Sequence, residues 1–139
     1  MVIVVGVDGS ETAFRAAEVA AELARALGAS LHIVSAFQHD NMHEVVGAGD
    51  DRWFVGDADL AVSAASNTGS RLSSGDLEIT TATPRGKPAD ILVEEAIRLD
   101  ARMIVVGNHR MQGVGRLLGS VANSVAHHAP CDVHIVKTT

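Results

Sequence analysis

Residues 102–121 read RMIVVGNHRMQGVGRLLGSV. Met103–Val106 is an uninterrupted apolar run, the pattern of a strand buried on both faces. Gly107, Gly113, Gly115 and Gly119 then make a flexible loop that runs into a helix near Ser120. Glycine lets a backbone approach a ligand closely. Unpaired N–H groups at a helix N-terminus attract anions by hydrogen bonding and by the helix dipole. Arg110 and Arg116 add positive charge. Strand, glycine loop and helix start together predict a phosphate cradle of the kind that holds a nucleotide. The glycine spacing fits neither GxGxxG nor GxxxxGK[ST], so the two commonest phosphate-loop signatures do not apply.

The rest of the chain sets the frame. Its 139 residues suit one domain, residues 1–139, and suffice to bury a sizeable core. Hydrophobic residues make up 47%, against which disorder is not expected. With one Trp, three Phe and no Tyr, the core must be Val, Ile, Leu and Ala, which suits a parallel sheet under Ala-rich helices. A formal charge of −6 argues against nucleic acid or an anionic membrane as the main partner. The single Cys131 excludes an internal disulfide and reads as an inert buried thiol. Val2–Val7 is too short to span a bilayer and lacks the build of a signal peptide, so a cytoplasmic location is expected.

In chain order, Val2–Val7 reads as a first central strand, and Asp8-Gly9-Ser10 as a turn ending in a helix N-cap. The helix runs to about Leu27, with Ala16, Ala20, Leu23 and Leu27 inward and Gly28 as its stop. Leu31–Phe37 reads as a second strand, interrupted by His32 and Ser35. Gln38–Arg52 reads as a polar loop; its His39, Asp40, His43, Glu44, Asp50 and Asp51 match no metal-ligand spacing. Trp53 and Phe54 are expected to anchor the end of that loop on the core.

Asp57 to about Ser73 reads as a second helix that buries Ala61, Ala64, Ala65, Thr68 and Leu72, and Leu77–Ala82 as a third strand. Pro88 opens a third helix, with Ala89, Leu92, Val93, Ala96 and Leu99 inward. After Met103–Val106, a helix from about Ser120 turns Val121 and Val125 inward, and Asp132–Val136 alternates as a last strand. Five strands alternating with four helices predict a three-layer α/β fold with a mainly parallel sheet and helices on both faces.

In such sheets ligands sit beyond the carboxyl ends of the strands, where strand order reverses. Asp8, the region of Ala36, and Gly107 are placed there. Asp8 could take ribose hydroxyls or help hold a metal on a phosphate. Gly119, Ser120, Val121 and Ala122 could offer amide N–H groups and one hydroxyl to phosphates.

Three segments together resemble the universal stress protein family: VIVVGVDGSETAFRAAEVAAELA (2–24), GKPADILVEEA (86–96) and MIVVGNHRMQGVGRLLGSVANSVAHHAPCDVHIV (103–136). The resemblance covers essentially the whole chain. It implies a five-stranded parallel sheet of order 3-2-1-4-5 and an adenine nucleotide alpha hydrolase-like fold. It also implies homodimers joined by antiparallel pairing of the last strand, here about Asp132–Lys137.

The family's ATP-binding branch carries Gly, two residues, Gly, nine residues, Gly, then Ser or Thr. Gly107 and Gly119-Ser120 match the ends of that pattern. Arg110 stands at the second Gly, and only eight residues separate it from Gly119, so the pattern is departed from twice. The resemblance implies nucleotide contacts at Asp8, Ala36, Val106, Gly107, Gly119, Ser120 and Val121; Gly6, Val7, His109, Arg110, Arg116 and Ala122 complete the candidate set. Arg110 either pairs with phosphate or fills the space a second Gly would leave.

The function expected is an ATP- or ADP-binding dimeric regulator of stress response, with Mg2+ as an optional companion and protein partners unspecified. The alternative is a family member that binds no nucleotide and acts as an interaction dimer. No catalytic residue and no metal site is assigned. Weak ATP hydrolysis or autophosphorylation would need a base, for which His109 is the nearest candidate.

Overall fold

A computed structural model describes residues 1–108 and 118–138. Five strands form one parallel sheet: β1 (Val2–Gly6), β2 (Ser30–Val34), β5 (Ile79–Ala82), β6 (Met103–Gly107) and β7 (Asp132–Val136). Their order is β5-β2-β1-β6-β7. Counted among the parallel strands alone, this is the expected 3-2-1-4-5.

Helices α1 (Glu11–Leu27) and α2 (Asp57–Leu72) cover one face, and α3 (Pro88–Leu99) and α4 (Ser120–His128) the other. β1 feeds both cores by alternation: Ile3 and Val5 join the cluster under α1, Val4 the one under α3. The Ala-rich face of α1 explains its close seat on the sheet. Ala16, Ala17, Ala20, Ala21 and Ala24 are fully buried. The ends of α1 are those the sequence predicts. The Ser10 hydroxyl accepts the Ala13 N–H at 3.2 Å, and Gly28 takes the left-handed conformation at φ 67°.

Four expectations are corrected. Residues 38–52 are not simply a loop, since β3 (Met42–Val46) and β4 (Arg52–Gly56) form an antiparallel hairpin and break the strict alternation. Trp53 and Phe54 belong to it and are 47% and 66% exposed, so they do not anchor on the core. Leu27 is 43% exposed, at the end of α1 and three residues past Ala24, the last buried residue of that helix. β2 ends at Val34, and beyond it only a single bridge, Phe37 to Arg85, continues the pairing with the third parallel strand.

The hairpin is pinched shut at its base. The Asp57 N–H donates to the Asn41 carbonyl at 3.1 Å, and the Asn41 N–H to Asp57 Oδ2 at 3.0 Å. His43 Nε2 meets Asp57 Oδ1 at 2.6 Å, and Asp40 Oδ1 accepts the Ala58 N–H at 3.0 Å. The His43 hydrogen bond, with help from the Asn41 amide, holds the Asp57 carboxyl below its usual range. Asp40 therefore caps α2, and His43 with Asp57 closes the ribbon.

On the opposite side, a buried polar chain ties β2, β5 and α3 together. Glu95 Oε1 takes His32 Nε2 at 3.0 Å and Arg98 Nη2 at 3.1 Å, and Oε2 takes Arg98 Nε at 2.6 Å. Because an ionised carboxylate only accepts, His32 Nε2 carries the proton. In the neutral ring, Nδ1 then accepts the Thr80 hydroxyl at 2.6 Å. The Arg98 hydrogen bonds, more than that of His32, hold the Glu95 carboxyl below its usual range against the cost of burial. Among the described residues no buried side-chain nitrogen or oxygen lacks a partner.

Candidate functional site

Chain order reverses at β1: the chain leaves it toward β2 and β5, then returns to its other side as β6. Beyond the carboxyl ends of these strands lies a cavity of about 180 Å³. Gly6, Val7 and Asp8 line it from the end of β1, Val34 from the end of β2 with Ala36 just beyond, and Val106 and Gly107 from β6. Val121 closes it from the first turn of α4, and Pro88 and Leu92 from α3. Most of this lining is apolar, which suits the faces of a ring. The polar groups converge at the β1–α1 turn.

That turn is tightly specified. Gly9 adopts φ +88°, a conformation that favours glycine. Asp8 Oδ1 accepts both the Ser10 N–H at 2.9 Å and the Ser10 hydroxyl at 2.6 Å. The same hydroxyl caps α1, and Thr12 Oγ1 lies 3.1 Å from it. At Gly6 a Cβ would sit 2.9 Å from Leu92 Cδ1, so any larger residue there must push the Leu92 side chain aside. At Gly107 a Cβ would meet Thr138 and Ala16 only at ordinary contact distances, so packing does not demand glycine there. Asn108, one residue on, ties back the chain end. Its N–H donates to the Val136 carbonyl at 2.9 Å, and its Oδ1 accepts the Thr138 N–H at 2.8 Å.

A second concavity of about 380 Å³ shares Asp8 and Ala36 with the first and extends toward Ser35, Gln38, His39, Asn41, Asp57 and Leu60. Asp8 thus stands on the ridge between the two.

The structure brings together Gly6, Val7, Asp8, Ala36, Val106, Gly107 and Val121 as the sequence predicts. Gly119, Ser120 and Ala122 do not line the cavity. Gly119 is the buried N-cap of α4, Ser120 opens the helix on its exposed side, and Ala122 is buried in the core. His109, Arg110 and Arg116 lie outside the described residues. Ser10, Thr12, Ala13, Val34, Pro88 and Leu92 line the cavity without having been singled out for it. For Pro88 and Leu92 the only available signal was topological, since α3 packs over the end of β1. Among the described residues no group of three or more His, Cys, Asp or Glu is set to hold a metal, and no helix is long and apolar enough to cross a membrane. Cys131 is half-buried, and burial, then Asp132, pushes its thiol up, as an inert thiol requires.

The model of the universal stress protein family matches residues 1–137. The chain belongs to this family. A universal stress protein of Mycobacterium tuberculosis is 36% identical over 99% of this chain and 96% of its own length. Among solved structures, a universal stress protein in complex with cAMP is 32% identical at a TM-score of 0.73, covering 100% of this chain and 98% of its own. A universal stress protein from Archaeoglobus fulgidus in complex with dAMP is 29% identical at a TM-score of 0.72, covering 99% of this chain and 98% of its own. The fold is therefore the adenine nucleotide alpha hydrolase-like fold of these family members.

Proposed function

We propose that the cleft at the ends of β1, β2 and β6 binds an adenine nucleotide, and that the chain acts as a nucleotide-responsive dimeric regulator of stress response. The observation that carries the reading is the convergence of Asp8, Ala36, Val106, Gly107 and Val121 on one cavity at the point where strand order reverses. The cAMP and dAMP complexes of its relatives support an adenine ligand. The base would lie against Ala36, Val34 and Val106, and the phosphate would reach past Val121, beyond the cavity itself, toward the first-turn amides of α4. ATP or ADP, with Mg2+, is the fuller ligand expected from the family; Arg110 and Arg116 would then neutralise the added phosphates.

Calorimetry with AMP, cAMP, ADP and ATP, the last two with and without Mg2+, tests this. Heat of binding is expected from the native chain and not from Gly119→Glu, which places a carboxylate at the phosphate end. No heat from any of the nucleotides overturns the reading.

The dimer is proposed through β7, an edge strand whose first four residues alternate between exposed and half-buried. Light scattering that finds only monomer at high concentration would contradict it. A second reading, an interaction dimer without nucleotide, is favoured by the hairpin, where Met42, Val46 and Phe54 stand exposed. A silent calorimeter together with a dimer in solution would leave that reading standing.

A further inference from the structure

The second concavity is built differently from the cleft beside it. Its most buried residue is Ser35, just past the end of β2 and only 3% exposed. The Ser35 N–H donates to the Ala82 carbonyl at 3.1 Å, which fixes the backbone there. The Ser35 hydroxyl has no hydrogen bond to any described residue. Among the described residues no fully covered side-chain oxygen lacks a partner. The hydroxyl therefore keeps a little open surface, and the concavity that Ser35 lines is where it opens. A polar atom so nearly buried costs free energy unless something polar meets it.

The rest of the lining says what that partner is. Asp8 and Asp57 bring two carboxylates, and no Lys or Arg lines the concavity. Both Asp57 oxygens are taken, by His43 and by the Asn41 N–H, but its negative charge remains. Oδ2 of Asp8 receives no hydrogen bond from any described residue. The cations next to the site are turned to other partners: His43 to Asp57, and Arg85 to the Gln38 carbonyl at 3.3 Å. An anion meets repulsion here and a cation attraction. A metal ion is the poorer fit, since among the described residues no group of three or more His, Cys, Asp or Glu is set to hold one. Phe37, Leu60 and Ala61 supply an apolar wall. We infer that this concavity binds a protonated primary amine on a short aliphatic chain, its ammonium at Ser35 and Asp8 and its chain against Phe37, Leu60 and Ala61. An ammonium has three donors and no acceptor, which matches a hydroxyl oxygen and a carboxylate oxygen left without donors. The site stands whether or not the adjoining cleft takes a nucleotide.

The test is a titration of the isotope-labelled full chain with n-butylamine, n-butanol and butyrate, followed by backbone amide shifts. His39 is the one lining residue that can carry positive charge, so the titration is run at about pH 8, above the ordinary range of histidine. Butylamine should shift the amides of Ser35, Phe37, Leu60 and Ala61 with a dissociation constant of about 1 mM. Butanol, the same chain without the charge, should bind roughly tenfold or more weakly, the weight of hydrogen bonds to a charged group. Butyrate should bind more weakly still. Butanol or butyrate binding as tightly as butylamine would overturn the inference. Shifts confined to residues outside the concavity would overturn it too.

Two variants sharpen the result. Ser35→Ala removes only the hydroxyl, so butylamine should weaken several-fold while butanol is unchanged. Leu60→Lys, at a position 48% exposed, sets a competing ammonium at the concavity and should abolish butylamine binding. Undiminished butylamine binding in either variant would overturn the inference. Should Ser35→Ala fail to fold, Leu60→Lys still decides the matter.

Discussion

Asp8 and Glu95 are carboxylates in one small fold, and they are spent differently. Glu95, under α3, gives both oxygens to the protein: His32 and Arg98 share Oε1, and Arg98 takes Oε2. Asp8, at the mouth of the cleft, gives Oδ1 to Ser10 and keeps Oδ2 outside every bond among the described residues. The first arrangement holds three elements together and leaves nothing for a ligand. The second holds one turn and leaves an acceptor oxygen on a residue that lines two concavities. A charged group near a pocket is thus judged by what remains of it after the fold has taken its share.

The contrast breaks most easily at Glu95. Glu95→Ala removes one partner from a buried pair and strands His32, which should cost roughly 2–4 kcal/mol of stability in urea unfolding. Asp8→Ala should cost about 1 kcal/mol or less of stability while weakening AMP binding. Equal losses from the two variants would erase the distinction.

Acidification probes the same pair. The Glu95 carboxyl is held below its ordinary value of 4.5, first by Arg98. Its contribution is therefore complete above the unfolded value and is lost as pH falls through the lower folded value. The urea midpoint of the native chain should drop across that acidic window, and Glu95→Gln should flatten the drop. An identical pH profile in the variant would remove Glu95 from the explanation.

Gly6→Ala tests the cavity wall. Its Cβ would press on Leu92 Cδ1 from 2.9 Å, forcing that side chain to shift where it lines the cleft. About 1 kcal/mol of stability and several-fold of AMP affinity should go. The double variant Gly6→Ala with Leu92→Ala should recover part of the affinity, as a double-mutant cycle would show. The smallest effect is expected at the hairpin, where Phe54→Ser should shift stability by no more than about 0.5 kcal/mol, because that ring is exposed. A larger loss by thermal melting would mean the ring is covered in solution.

How much of this could be read from residues alone follows from the range of the interactions. β1 and β6 announce themselves as VIVVG and MIVVG because strands buried on both faces tolerate little else. Ser10 and Gly28 mark the ends of α1 through local bonds. The hairpin was legible only in part: two β-prone pentapeptides flank Gly47 and Gly49, the latter at φ +76°, but the acids around them read as solvated loop. The buried polar chain from Thr80 through His32 to Glu95 was not legible. His32 looked like a flaw in a strand, and its bonds to Glu95 and Thr80 span separations that no periodicity records. In the cleft, Asp8, Ala36 and Gly107 follow from their place after strands. Pro88 and Leu92 enter through packing across the sheet.

The pinch at Asn41 and Asp57 has a consequence for engineering. Where two chain ends already touch through paired backbone and carboxylate bonds, everything between them is an appendage with a ready-made splice point. Residues 42–56 could be exchanged for a short turn, an epitope or a fluorophore-binding loop with β2 and α2 still meeting as they do now.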